Sequence, residues 1–372
     1  MTRTLESNSA AESKGSYANV DAQFTMEAEA GEAEGHHELV SNRRYDSLYV
    51  TLRNKLEEAG CFEPAPWAGI LSILLVVATY TLGYVTLLTD PHMIVRAGSL
   101  LLMAFVSVQA GFVAHEAGDG GITSNRRLAF FCGQIFMTFA SGLSHSYWQY
   151  FHRIHHARLS ESSTHSDALP ESANIYEGSA LRKLLSRNGT ILIAVLVCLK
   201  GLSFKIESLR YIWRNRQRTK PDQIFMALHT VLWLVLPMFS LGAADTIINY
   251  ALVTLFAGPY IGTILILNHV GMQMTRSQNR IPFMERQIMA TRNLGDSRWD
   301  DFFFGGVNNH IEHHLFPTIP TIKLRRARSI TRDFCHRHGL PYSETSYVRA
   351  LGDVTRYFRR MGRPQLATEP LA

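Results

Sequence analysis

Four stretches of the chain are apolar and nearly free of charge: Trp67 to Thr89, Ala97 to Ala114, Ile224 to Ala244, and Thr246 to Asn268. At about 1.5 Å of rise per residue, runs of this length match the roughly 30 Å of a bilayer's hydrocarbon core. The pattern predicts an all-α membrane protein with four transmembrane helices. Two links, between the first and second runs and between the third and fourth, are short and carry only Asp90, Arg96 and Asp245 as charges. The arginines lie elsewhere. Positive charge stays on the cytosolic side, so both short links are expected outside and residues 1–66, 115–223 and 269–372 inside.

A fifth run, Leu128 to Phe151, has no formal charge, but it contains Gln134, Ser141, Ser144, His145 and Gln149. If it crossed, the basic stretch "RYIWRNRQRTK" would move outside, so an interfacial or protein-covered helix is expected instead. Gly189 to Leu199 is too short to cross and is expected to lie along the surface.

Composition sharpens this picture. Hydrophobic residues make up 46% and charged residues 18%, below the roughly 25% charged of an average soluble domain. Residues 1–40 carry eight acidic and two basic side chains, so the +6 of the whole chain becomes about +12 over the rest. This Glu-, Ser- and Ala-rich stretch is expected to be a disordered acidic tail, and it lacks the apolar core of a signal peptide. The membrane domain is placed at residues 41–345, followed by a C-terminal tail at 346–372. Cys61, Cys132, Cys198 and Cys335 are scattered without a C-x-x-C pair, which points to reduced thiols.

The chemistry is carried by histidine. "FHRIHHARLS" and "NNHIEHHLFP" each contain H-x-x-H-H, a triple expected on the order of 0.03 times in a chain with this many histidines. On a helix, positions i, i+3 and i+4 share a face, so His152, His155 and His156 present three imidazoles together, and so do His310, His313 and His314. With four spans, His115 ends the second and His269 the fourth on the cytosolic side. Eight imidazoles then converge on one face, with the Asp119 carboxylate close by, enough for two metal ions. Imidazole suits iron, copper, zinc and nickel alike.

These segments, "AHEAGDGG", "GLSHSYWQYFHRIHHA", "QIMATRNL" and "GGVNNHIEHHLFPTIP", resemble the histidine boxes of the membrane fatty acid desaturase and hydroxylase superfamily. The similarity covers roughly residues 65–345 and is greatest to bacterial-type acyl desaturases without a fused haem domain. The resemblance implies a non-haem di-iron centre, O2 as co-substrate, a cytosolic helical cap over four spans, and removal of two hydrogens from an acyl chain in a bent tunnel. It implies as ligands His115, Asp119, His152, His155, His156, His269, His310, His313 and His314. By position alone, His269 would read as a polar anchor. With no His-Pro-Gly-Gly haem signature, the expected electron donor is a separate protein such as ferredoxin with its reductase, and the expected location a bacterial cytoplasmic membrane rather than the endoplasmic reticulum.

The chain departs from the family pattern at Asp119, where the first box would have a second histidine. Three consequences are open: a desaturase with a mixed His/Asp shell, an enzyme diverted to hydroxylation, or a weakened, non-catalytic metal site. Around the boxes, Glu312 is expected to accept an imidazole N–H and fix its ring. Trp148 and Asn308 are placed near the ligands or the substrate cavity, and His229 is expected to be a neutral imidazole bonded to a backbone carbonyl. The basic runs, Arg210 to Lys220 and 323–338, are expected to meet anionic headgroups, or a CoA, carrier-protein or donor surface. No nucleic-acid motif is present.

Overall fold

The computed structural model describes residues 44–89, 92–157, 189–272 and 281–361. The acidic tail expected at 1–40 lies outside them. A first helix at residues 44–58 (α1) precedes four long apolar helices, Pro66–Thr89 (α2), Met93–Gly118 (α3), Lys220–Leu241 (α7) and Ala243–Leu267 (α8). Their lengths of 24, 26, 22 and 25 residues all suffice to cross a bilayer. Each keeps a broad exposed apolar face, including Trp67, Leu71 and Leu82 on α2 and Phe239 on α7, as lipid-facing helices do. The protein is a multi-pass membrane protein.

The boundaries shift where the backbone forces them. The third predicted span runs to Ala244, but the chain turns at Gly242, whose φ of +78° favours glycine. Ala243 and Ala244 therefore begin α8. α3 extends beyond the predicted 97–114 at both ends and takes in Arg96, which pairs with Asp245 at 3.1 Å and bonds Asn249 at 3.2 Å. This contact joins the starts of α3 and α8, so these two helices begin at the same end of the bundle.

The fifth apolar run is two helices. Arg126–Gly133 (α4) continues through a π-helical stretch, Gln134–Ala140, and His145–Ala157 (α5) follows after a turn at Gly142, φ +69°. Its polar residues explain the break. Buried Asp222, at the start of α7, accepts from Gln134 Nε2 at 3.1 Å, Ser144 Oγ and Ser146 Oγ at 2.6 Å, and the Ser146 amide at 3.0 Å. A carboxylate that accepts four hydrogen bonds fixes where α5, the carrier of the second box, begins.

The run expected to lie along the surface from Gly189 to Leu199 continues to Arg214 (α6) and packs on α8. Hydropathy ends it early at Lys200, but glycines set the packing. Gly201 faces the Thr254 carbonyl, while Gly258 and Gly262 face the backbone of Cys198 and Val197. Small residues four apart let two backbones approach closely.

Beyond the spans come Phe283–Met289 (α9), Asn293–Leu294 (β1), Arg298–Phe303 (α10), His310–Leu315 (α11), Thr321–His338 (α12), Glu344–Thr345 (β2) and Tyr347–Met361 (α13). β1 and β2 pair in parallel, Asn293 with Glu344 and Leu294 with Thr345. Leu52 and Leu56 of α1 join Met284, Ile288, Ile311, Leu315 and Phe334 in a core beside the third box. The segment read as a tail from residue 346 includes α13, whose Ala350 and Val354 are buried against Ile266, Leu267, Val270 and Leu294. Asp353 of α13 pairs at 3.1 Å with Arg292, whose Nε bonds the Leu267 carbonyl at 2.6 Å at the end of α8. The apolar side of α13 thereby braces the helix end that leads into His269.

Four cations of the basic run at 323–338 are paired within the protein. Lys323 pairs with Glu63, Arg325 with Asp296 and Asp301, and Arg328 and Arg332 with Glu344. These four cations hold the extramembrane segments together, because Glu63 in the turn after α1, Asp296 just before α10, Asp301 of α10 and Glu344 of β2 lie within reach of α12.

Candidate metal centre

The two boxes sit on separate short helices, α5 and α11, and i, i+3, i+4 spacing places each triple on one face. The ends of α3 and α8 bring His115 and His269 to the same place. The nine side chains then sort into two groups that each draw on both boxes. His155, His269, His310 and His314 form one; His115, Asp119, His152 and His313 form the other. Within each group the potential ligand atoms lie within 4.8 Å of one another. His156 belongs to neither and lies between them. It stacks on His314 with ring centres 4.2 Å apart, with His152 at 4.4 Å and His313 at 4.9 Å.

Hydrogen-bond partners fix the tautomers of the first group. His269 Nδ1 faces the Ala290 carbonyl at 3.1 Å, His310 Nδ1 the Val307 carbonyl at 3.1 Å, and His314 Nδ1 the Gln287 Oε1 at 3.1 Å. The Gln287 amide is itself oriented, since its Nε2 donates to the His156 carbonyl at 3.0 Å. All three partners can only accept, so each Nδ1 carries its ring's hydrogen and each Nε2 is bare. Yet His310 Nε2 lies 2.6 Å from His269 Nε2 and 3.1 Å from His314 Nε2. Three acceptor nitrogens pointed at one another in a buried place repel, unless a cation lies among them. In the second group the Asp119 carboxylate is 3.4 Å from His115 Nε2, 3.5 Å from His152 Nε2 and 4.0 Å from His313 Nδ1. The buried His152 Nε2 and both ring nitrogens of His156 have no hydrogen-bond partner among the described residues. This donor set fits a pair of metal ions.

Electrostatics act in the same direction. Burial, reinforced by a neighbouring imidazole, pushes His152 down to about 3. Burial and then neighbouring imidazoles hold His156, His310, His313 and His314 well below the usual histidine range. Neutral imidazole is the ligating form. Burial pushes Asp119 up to about 6, with His115 acting against it.

Three other expectations have definite outcomes. Glu312 does not accept from an imidazole; it takes hydrogen bonds from Tyr342 Oη at 2.7 Å and Asn293 Nδ2 at 2.9 Å. On α11 it lies two residues after His310 and one before His313, so it points away from the face the histidines share. Asn308 is buried but donates to Asp301 at 2.9 Å rather than meeting a histidine. His229 is as expected, its Nδ1 2.7 Å from the Phe139 carbonyl and its Nε2 3.0 Å from the Tyr250 hydroxyl.

Both groups open onto an apolar cavity of about 160 Å³ between α3, α6 and α8. Trp148 lines it and stacks on His152 at 5.5 Å. Phe112, Phe151, Phe204 and Ile261 supply further wall. Sequence reading gave no role to Gln287, although "QIMATRNL" contains it, nor to Lys205, which borders the cavity. An amide five residues before the Arg292-Asn293 pair is the signal that could have marked Gln287.

Four spans with a histidine-rich cluster at the mouth of an apolar cavity define a membrane-embedded protein of the histidine-box type. The chain belongs to the fatty acid desaturase family, whose model matches residues 91–346. It is 26% identical over 325 residues to "Fatty acid desaturase 3" of Bos taurus, covering 84% of this chain and 72% of the relative. It is 27% identical over 263 residues to an acyl-lipid (9-3)-desaturase of Physcomitrium patens, covering 67% and 50%. With a Delta(6)-fatty-acid desaturase of Caenorhabditis elegans it shares 26% over 270 residues, covering 67% and 61%. The chain thus spans half to about three quarters of the length of these relatives.

Proposed function

We propose that the chain is an O2-dependent fatty acyl desaturase with a di-iron centre on the cytosolic side of its membrane. The observation that carries this reading is the convergence of bare Nε2 atoms at the mouth of an apolar cavity. His155, His269, His310 and His314 would hold one iron, and His115, Asp119, His152 and His313 the other, with His156 between them. When bound, the pair would supply dioxygen activation and the oxidising power to take two hydrogens from neighbouring methylenes. The protein supplies placement. The Ala290, Val307 and Gln287 oxygens keep hydrogen on Nδ1 and so aim Nε2 inward, as outer partners of metal-binding histidines do. The aromatic wall of Trp148, Phe151 and Phe204 excludes water and restricts which methylene reaches the centre. The acyl group would arrive linked to lipid, CoA or a carrier protein, and electrons from a separate ferredoxin-type donor.

Lipid extracts of cells with and without the protein test this by mass spectrometry. New alkenes are expected. New alcohols without alkenes would assign hydroxylation instead, a reaction the oxygen ligand Asp119 makes the leading alternative. No new lipid product, and less than about one iron per purified chain against the two required by the two groups, would leave a non-catalytic metal-binding homologue.

Asp119 gives a second test. Replacement by Ala is expected to lower iron content and to reduce turnover about 10- to 100-fold. Asp119→His is expected to retain activity, since i, i+4 spacing keeps the new imidazole on the same face as His115. Wild-type iron and turnover in the Ala variant would remove Asp119 from the centre.

A further inference from the structure

Away from the histidine cluster, the cavity wall carries among the described residues a single Lys, Arg, Asp or Glu side chain, Lys205 of α6. Its surroundings can be accounted for atom by atom. The His229 ring gives its hydrogen to the Phe139 carbonyl through Nδ1, at 2.7 Å, so His229 Nε2 accepts from the Tyr250 hydroxyl at 3.0 Å. Tyr250 has then used its one hydrogen, and its oxygen accepts from Lys205 Nζ at 3.1 Å. A second Nζ hydrogen goes to the Ser141 carbonyl at 2.9 Å. The remaining hydrogen of the ammonium has no acceptor among the described residues, and no carboxylate there lies within ion-pair distance of it. Gly142 shapes the loop around this pair: a Cβ at this position would come within 2.6 Å of Lys205 Nζ and 2.4 Å of His229 Nε2.

A cation in an apolar cavity without a counter-charge is costly, and burial pushes Lys205 down to about 7. Its depth in the bundle follows from a neighbour. Ser141, whose carbonyl it bonds, donates through Oγ to the Ser107 carbonyl at 2.7 Å. Ser107 stands eight residues before His115 on α3, roughly 12 Å of helix rise from the cluster.

We propose that Lys205, braced by Tyr250 and His229, binds a carboxylate at one end of an alkyl chain lying in the cavity, and so fixes which methylenes reach the histidine cluster. This rests on the reading of the cavity as an acyl site. The carboxylate could be the terminal carboxylate of an oxidised, head-linked acyl chain lying tail inward, or belong to a free fatty acid lying with its acid group inward, which would replace the linked substrate proposed above. In either case the polar anchor sets the distance from one chain end to the reacting carbons.

Calorimetric titration of the purified full-length protein tests this with four probes: hexadecanoic acid, its methyl ester, hexadecanedioic acid monomethyl ester, and the dimethyl ester. In the native protein at least one acid is expected to bind about tenfold or more tightly than its matched ester. That ratio is expected to fall towards one in Lys205→Met and to shrink in Tyr250→Phe. The pair with the larger Lys205-dependent ratio identifies the source. Equal affinity of acids and esters for the native protein would overturn the proposal and leave the acyl cavity standing. Failure of all four probes to bind would overturn both. The native comparison needs no variant, so a misfolded variant does not remove the test.

Discussion

His310→Ala is expected to strip the protein of one metal ion and to lower turnover by at least about 100-fold. His310 Nε2 lies 2.6 Å from His269 Nε2 and 3.1 Å from His314 Nε2, so it is the imidazole that joins the other two. Without it, the first group keeps His155, His269 and His314, with a gap where the central donor was. The second group shares no side chain with the first and should keep its ion. The fold should survive, because His310 occupies the histidine face of α11 while Ile311 and Leu315 supply its contact with the core. Metal analysis of the purified variant should therefore fall from about two irons to about one, and not to zero. His336→Ala, at an exposed position on α12, serves as the control and should keep the full complement. Unchanged iron and turnover in His310→Ala would refute the proposed centre at its middle.

The cluster was largely legible in the sequence because helical spacing is a local property. His152, His155 and His156 had to share a face once the segment was helical, and so did His310, His313 and His314. The ends of α3 and α8 carried His115 and His269 to the same level because spans have a nearly fixed length. How the triples divide was not legible. His152 faces one group and His155 the other, and that division depends on the angle at which α5 meets α11, which no local pattern encodes. Glu312 was misread for a related reason: proximity along the chain suggested contact, while its position on the helix pointed it to Tyr342 and Asn293. The break in the fifth apolar run was hidden because hydropathy does not weigh Asp222, some 80 residues away, which gathers Ser144 and Ser146. Lys205 escaped notice because a basic residue within "GLSFKIES" reads as surface until α8 covers it.

The supports around the cluster share a physical logic. Arg292 bonds the Leu267 carbonyl and pairs with Asp353, tying α13 to the turn that bears His269. Gln287 holds both the His314 ring and the His156 carbonyl, so a single amide links α5 to α11. In each case one side chain joins segments that hydropathy treats as independent. Positions that hold the candidate ligands in place are therefore spread over most of the described chain, and the four spans act as the frame for them.

Gly258→Leu is expected to prevent stable folding, with a cost of about 3 kcal/mol or more from overpacking. A Cβ at Gly258 would lie 2.1 Å from the Cys198 carbonyl oxygen and 2.9 Å from its carbon. Both are backbone atoms of α6, so no rotamer change relieves the clash, and the two helices must separate. The same crossing is tight at Gly201, 2.7 Å from the Thr254 oxygen, and at Gly262, 2.9 Å from the Val197 oxygen. Pro259 follows directly, and its missing N–H already weakens the helix at this level, leaving α8 more dependent on its neighbour. Separation would carry His269 away from His310 and open the wall that bears Lys205. Detergent-extracted Gly258→Leu should aggregate on size-exclusion chromatography and hold little iron, with Gly258→Ala intermediate. Gly98→Ala is the matched control: its Cβ meets nothing within 4 Å, and Ala is the better helix former, so it should be neutral or slightly stabilising. A well-folded, iron-replete Gly258→Leu protein would mean that α6 and α8 are not in backbone contact, and the cavity between them would have to be redrawn.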